Sequence, residues 1–257
     1  MLRTISTLFF LAWIEIFFAG KVHSAQRVIS LDLCTDWMLA RYADRAQVAA
    51  LSPIYSQYPV AWLENGWPTH DGTLEHIVAL KPDLVITGQY NALQLRSRLK
   101  TLGLRVEILS LPTNLEAIGN YERRFLSMIG KPAALASAPP PPQPAAPAKR
   151  LLLLGANGIG TGRGTFEDGV LERAGWSNYL RDDGYVRLDM ERIVTDPPDA
   201  VLWAAPASRA LANRFAEHPV LRRVVPRERW LTTDYWRWQC PGPWTWELIE
   251  QLHRWLP

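Results

Sequence analysis

The sequence predicts an α/β protein of two lobes, each a mostly parallel sheet flanked by helices, with a ligand cleft between them. Three observations carry this. Past the first two dozen residues, short apolar runs alternate with amphipathic stretches at helical spacing, the pattern of βαβ units on a parallel sheet. Near the middle, prolines 139–142, 144 and 147 interrupt that pattern. A motif also recurs on either side of the interruption: "TLEHIVALKPDLVITG" and "LDMERIVTDPPDAVLWAAP" both read as helix, Pro-Asp turn and buried strand. The boundaries that follow are a lobe over 25–135, a linker over 136–149 and a second lobe over 150–257.

Taken in order, "RVISLDL" predicts a strand and "CTDWMLARYA" a helix with Thr35 or Asp36 as its N-cap. "QVAALSP" is a short strand. Next comes the "LEHIVALKPDLVITG" helix, turn and strand, then "NALQLRSRLKTLGLRVEILSL", where Gly103 stops a helix before a further strand. "TNLEAIGNYERRFLSMIG" is a helix capped by Thr113 or Asn114. The proline tract lacks amide donors and favours polyproline II, so it reads as a semi-rigid linker. In the second half, "RLLLLGA" is a strand, "GTFEDGVLERAG" a helix, "FAEHPVLRRV" a helix and "RWLTTD" a strand. "PWTWELIEQLHRWLP" is a closing helix with Pro243 in its first turn.

Residues 1–24 read as a secretory signal. Arg3 supplies the positive end, an apolar stretch follows, and Val22 and Ser24 suit cleavage after Ser24, with Ala25 second. The mature chain is then expected to be soluble in an oxidising, exported compartment. There Cys34 and Cys240, the only cysteines, either pair or stay as two buried thiols. They lack the grouping of a metal site. A net charge of +3 with no basic run gives no footprint for nucleic acid. Twelve tryptophans are many for 257 residues. Tryptophan needs a partner for its N–H when buried and is enriched where ligands dock.

The segments "RVISLDLCTDWMLA", "LEHIVALKPDLVITG", "LKTLGLRVEILSL", "GTFEDGVLERAGWSNYL" and "ERIVTDPPDAVLW", in that order, resemble the class III periplasmic binding proteins of ABC importers for iron–siderophore complexes, haem and vitamin B12. The resemblance covers nearly all of the mature chain, and "LEHIVALKPDLVI" is its most specific part. That family joins its lobes by one long helix, whereas this chain has the proline tract. About ten residues of polyproline II span roughly 30 Å, as about 20 residues of helix do.

The resemblance implies a monomeric, periplasmic solute-binding protein that is not an enzyme and carries no resident cofactor or metal. It takes a small molecule and hands it to a membrane permease. It also implies a cleft lined by strand-end loops: 32–36, 55–58, 70–72 and 89–91 in the first lobe, and 157–163, 185 and 234–243 in the second. From these loops the candidate ligand-binding residues are Asp32, Tyr55, Tyr58, His70, Tyr90, Asn157, Arg163, Tyr185, Trp236 and Trp238. Strand-like alternation would point Trp236 and Trp238 the same way. Trp244 and Trp246 are expected to pack the closing helix on its own lobe. Arg163 or Arg237 could pair with anionic ligand groups. Glu75 fits the acidic permease contact that the family presents on its first lobe. A bridge from Cys34 to Cys240 would join the lobes across the cleft.

The expected ligand is a ferric siderophore or similar iron chelate, then a corrinoid, then haem. Cobalamin-binding members carry tryptophans where this chain has His70 and Gly88 or Gln89, and haem would need a Tyr or His ligand to its iron. The rival class is a secreted enzyme. "LLLLGANGIGTGRG" imitates a dinucleotide-binding turn, but Arg163 stands where the third glycine is required. Asp32 and Asp36 could form a carboxylate pair, yet capping explains them without catalysis.

Overall fold

The computed structural model describes residues 27–58, 66–140, 149–204, 211–233 and 235–256. The signal segment, prolines 141, 142, 144 and 147, and Asp234 lie outside the described residues.

The first half runs β1 (Val28–Ser30), α1 (Leu33–Tyr42), β2 (Val48–Ala50), α2 (Leu74–Ala79), β3 (Leu84–Gly88), α3 (Leu93–Thr101), β4 (Val106–Leu109) and α4 (Ala117–Met128). Its sheet has the order β2-β1-β3-β4 and every pairing is parallel. β1 and β3 are buried along their whole length, as central parallel strands covered on both faces must be. The N-cap of α1 is Asp32, whose side chain accepts from the Cys34 and Thr35 amides. The helix thus starts earlier than Thr35 or Asp36 would have it, and Asp36 falls in its first turn. Asn114 caps the turn leading into α4, accepting from the Ala117 amide at 2.9 Å.

The second half runs β5 (Arg150–Leu154), β6 (Ile159–Thr161), α5 (Phe166–Arg173), β7 (Ser177–Asn178), β8 (Tyr185–Arg187), α6 (Met190–Thr195) and β9 (Ala200–Trp203). It continues through α7 (Pro219–Val224), β10 (Trp230–Thr232), α8 (Tyr235–Gln239) and α9 (Thr245–Arg254). Strands β7, β5, β9 and β10 pair in parallel in that order, repeating the topology β2-β1-β3-β4. The shared motif is equivalent in three dimensions too. Thr73 caps α2 and Asp189 caps α6. Ile77 and Ile193 are buried one turn on. Asp83 accepts from the Arg27 amide at the start of β1, and Asp199 from the Arg150 amide at the start of β5.

The second sheet adds an antiparallel pair, β6 and β8, beside the end of β5. Here the glycine-rich run departs from the expected strand-to-helix turn. Asn157 and Gly158 take left-handed backbone conformations, with φ of 58° and 69°, and turn the chain back on itself. A Cβ on Gly158 would stand 2.5 Å from the Phe215 ring, and one on Gly162 would stand 2.1 Å from the Asp182 carbonyl oxygen. These glycines permit close packing of a hairpin, which accounts for them without a phosphate.

The halves share their cores. Trp244, fully buried, lies in the core of the first lobe, edge-on to Trp37 with ring centroids 5.1 Å apart. This corrects the expectation that Trp244 packs on its own lobe; Trp246 does pack there. In the other direction, Ile118 of α4 enters the second core beside Val170 and Ile249. Cys34 and Cys240 form a disulfide with Cα atoms 5.1 Å apart. The start of the linker is anchored to both sides. The Ser137 amide donates to the buried Glu122 carboxylate, which also accepts from the Tyr42 hydroxyl. The Arg173 guanidinium donates to the Pro140 carbonyl. The lobes are therefore clamped by packing, a covalent bridge and hydrogen bonds.

Candidate functional site

From β1 the chain goes to β2 on one side and then to β3 on the other, so the strand ends of β1 and β3 mark a topological switch point. Open α/β sheets bind ligands at such points. Asp32 closes the gap between these two strand ends. One of its oxygens accepts from the Cys34 and Thr35 amides, and the other from the Gly88 amide at 2.6 Å and the Thr35 hydroxyl at 2.9 Å. Burial pushes its carboxyl pKa up, against the opposing pull of these donors. With four donors engaged, Asp32 is the pin that holds β1, β3 and α1 in register.

Beneath it lies a second buried polar layer. Asp36 accepts from the Ser52 amide at 2.8 Å and the Ser52 hydroxyl at 2.6 Å. Burial, with Asp32 nearby, pushes its pKa up to about 8. The His70 ring bonds the Ser30 carbonyl through Nε2 at 2.8 Å and accepts from the Gly72 amide at Nδ1. Both ring nitrogens are thus occupied, and burial pushes the imidazole pKa down. His70 is a neutral structural histidine that fixes the 70–72 loop.

Asp36→Asn is expected to flatten the pH dependence of stability. Between about pH 4 and pH 8 the folded chain keeps the Asp36 proton while the unfolded chain has lost it. The folded state then binds more protons, so stability declines as pH rises through that window. Urea midpoints from pH 5 to 8.5 should fall for the native sequence and fall less for the variant, whose amide can accept from the Ser52 amide and donate to its hydroxyl. Equally steep profiles would contradict this role.

Above Asp32 opens a pocket of about 370 Å³ on the line between the lobes. The first lobe contributes Ile54, Gln57, Tyr58, Asn91 and Leu111; the second contributes Trp236 and Gln239; the disulfide lies between them. The Tyr58 and Trp236 rings meet across the line with centroids 4.0 Å apart, and Tyr235 backs Trp236 edge-on at 4.8 Å. Trp236 is the one tryptophan among the described residues that lines this pocket.

Of the candidate residues, Asp32, Tyr58, Trp236 and both cysteines come together here. Tyr55 is buried in the first core. Tyr90 stands in solvent beside Asn91, 80% exposed. Trp238 faces away: segment 235–239 is a helix and not the extended loop expected, so residues two apart point to different sides. Trp238 enters the second core and its indole N–H donates to the Thr233 hydroxyl at 2.7 Å. Asn157, Arg163 and Tyr185 belong to the β6–β8 hairpin region and do not line the pocket. Asn157 makes the left-handed turn, Arg163 pairs with Asp183 at 3.5 Å, and the Tyr185 hydroxyl donates to Glu167. Arg237 is drawn to Glu247 at 3.8 Å, which Arg41 also approaches at 4.0 Å. Among the described residues no group of three or more His, Cys, Asp or Glu could hold a metal. Sequence reasoning missed Ile54 and Leu111, although they follow the ends of β2 and β4 as the other lining residues follow theirs.

No family model and no curated protein sequence matches this chain. Solved structures do match in fold. One is described as a possible iron-binding (periplasmic solute-binding) protein from Staphylococcus epidermidis, with TM-score 0.71 and 16% identity over 90% of this chain and 98% of that one. Another is a periplasmic haem-binding protein from Pseudomonas aeruginosa, with TM-score 0.63 and 23% identity over 89% and 91%. A third is a periplasmic vitamin B12 binding protein from Vibrio cholerae, with TM-score 0.59 and 21% identity over 90% and 96%. The chain therefore has the two-lobed fold of periplasmic binding proteins over nearly its whole described length. Among the described residues no helix is long and apolar enough to cross a membrane.

Proposed function

We propose that this chain is the solute-binding component of an ABC import system, working in the periplasm after signal cleavage. It captures an iron chelate or a related flat metal complex at the interlobe pocket and delivers it to a membrane permease. One observation carries the reading: the pocket lies at the β1–β3 switch point and is closed across the lobe line by Tyr58 and Trp236. Such a wall buries the face of a planar or amphiphilic ligand. The fold neighbours, described as a possible iron-binding protein, a haem-binding protein and a vitamin B12 binding protein, support the same class. Catalysis finds little to work with here, since the buried carboxylates are held in structural hydrogen bonds.

The internal repeat suggests how the permease is met. Glu75 lies exposed in the first turn of α2. The equivalent position in the second lobe is Glu191, exposed in the first turn of α6. Both helices begin at the strand-end side of their lobe, so the two carboxylates form a pair facing the membrane partner.

The test has two arms. Ferric chelates, a corrinoid and haem are titrated against the mature chain, with Trp fluorescence as the readout. At least one should quench it, and Trp236→Ala should weaken that ligand about tenfold, or roughly 1.4 kcal/mol, while the chain keeps its native circular dichroism. With the cognate permease, Glu75→Ala with Glu191→Ala should abolish ligand-stimulated uptake while leaving ligand affinity unchanged. No binding across the panel, with turnover of a small substrate instead, would defeat the proposal.

A further inference from the structure

The pocket's chemistry narrows the ligand further, on the premise that the pocket is the capture site. Among the described residues its lining contains no lysine, arginine or histidine. Its one carboxylate, Asp32, already takes four hydrogen bonds. Among the described residues, the cations on neighbouring elements stay outside the lining: Arg96 donates to the carbonyls of Gly88 and Gln89, Arg163 pairs with Asp183, and Arg237 with Glu247. What remains at the mouth is three exposed primary amides, Gln57, Asn91 and Gln239, beside the Tyr58–Trp236 wall. A primary amide offers two donors and an acceptor and carries no charge.

An anion entering such a site loses its water and meets no cation in the described lining, which is costly. A neutral carbonyl, carboxamide or hydroxamate edge loses less and is paired by the amides, while the flat part of the ligand covers the aromatic rings. We propose that the pocket selects ligands uncharged at the end they bury, with hydrogen-bonding neutral edges, and discriminates against polyanionic chelates and dicarboxylate macrocycles. Arg163 and Arg237, taken from the sequence as partners for anionic groups, have no such role in this arrangement.

The experiment uses matched probes that differ in charge. One pair is a ferric trihydroxamate chelate without negative charge against a trianionic ferric tricatecholate; the other is a metalloporphyrin dimethyl ester against its free dicarboxylate. Affinities are read from Trp quenching by the mature chain at low and at high salt. In at least one pair, the uncharged member should bind at least about tenfold tighter, with little dependence on salt. Gln57→Lys, an exposed substitution, should raise the affinity of the anionic member about tenfold and weaken the uncharged member, which loses one of its amide partners. If the anionic members bind as tightly as the uncharged ones, or tighter, the inference is overturned while the import reading stands. If no probe of either charge binds, the inference falls; the import reading falls with it only if the corrinoid also fails to bind.

Discussion

Removing the Cys34–Cys240 bridge should cost about 3–5 kcal/mol of folding stability while leaving the fold intact. The bridge spans 206 residues of sequence. Chain entropy for a loop of that length amounts to about 5 kcal/mol at 25 °C, an upper value that residual structure in the unfolded chain reduces. Against a typical total of about 5–15 kcal/mol, this is a large share. The variant Cys34→Ser with Cys240→Ala suits the test, since Cys240 is buried and a serine hydroxyl there would need a partner. Urea unfolding should show a lower midpoint and also a steeper slope, because the unlinked unfolded chain exposes more surface. Native protein reduced with a dithiol should behave as the variant does. A stability loss below about 1 kcal/mol with an unchanged slope would mean that the bridge constrains little. Because both cysteines line the pocket, the same variant reports whether the bridge also holds the ligand wall in place.

Much of the architecture is legible in the sequence, because parallel strands and their crossover helices write long apolar runs and 3.6-residue periodicity into it. "LVITG" is buried from end to end as a central strand should be. The Pro-Asp repeat marks equivalent turns in both lobes, where Asp83 and Asp199 do the same work. The site was legible only to the level of loops. Tyr58, Trp236 and Asp32 lie where strand-end loops place them, but their neighbours His70, Tyr55 and Trp238 turn inward. What decides between facing a pocket and facing a core is a local dihedral or a helical turn, and composition does not report it. At 235–239 a single turn of helix separates Trp236 from Trp238. At His70 two backbone partners, distant in sequence or hidden in a turn, claim both nitrogens. The glycine-rich run misleads for a similar reason: glycine serves close packing in a hairpin as readily as phosphate binding, and only the path of the chain tells them apart.

The clamped lobes bear on how a ligand is taken up. A protein whose halves exchange core residues and share a disulfide does not open by a wide hinge. On the proposed function, its pocket is largely formed before a ligand arrives. Affinity then depends little on ordering costs paid at binding. Packing around α1, α4 and α9, with the disulfide, carries the burden of holding the lobes together.

Trp244→Ala should be the most damaging single substitution outside the bridge, and it should change the shape of unfolding as well as its midpoint. The side chain comes from the second half but is fully buried in the first core, against Trp37. Its indole N–H donates to the Cys240 carbonyl, so it also fixes the backbone beside the disulfide. Gly242 leaves room for the ring: a Cβ there would stand 2.8 Å from it. Truncating a large buried aromatic costs about 3–5 kcal/mol from lost burial and the cavity left behind. The loss falls on the contact that couples the two cores, so cooperativity should suffer too. In calorimetry the native chain should unfold in one transition, and Trp244→Ala in two, one for each lobe. Trp244→Phe, which keeps much of the apolar face but loses the indole donor, should fall between them. Trp255→Ala serves as a control, since Trp255 is only partly buried and packs on the second core alone. It should lower one midpoint without splitting the transition. If Trp244→Ala unfolds in a single transition with a loss below about 1 kcal/mol, then Trp244 does not couple the cores, and the lobes are held together chiefly by the bridge and the linker contacts.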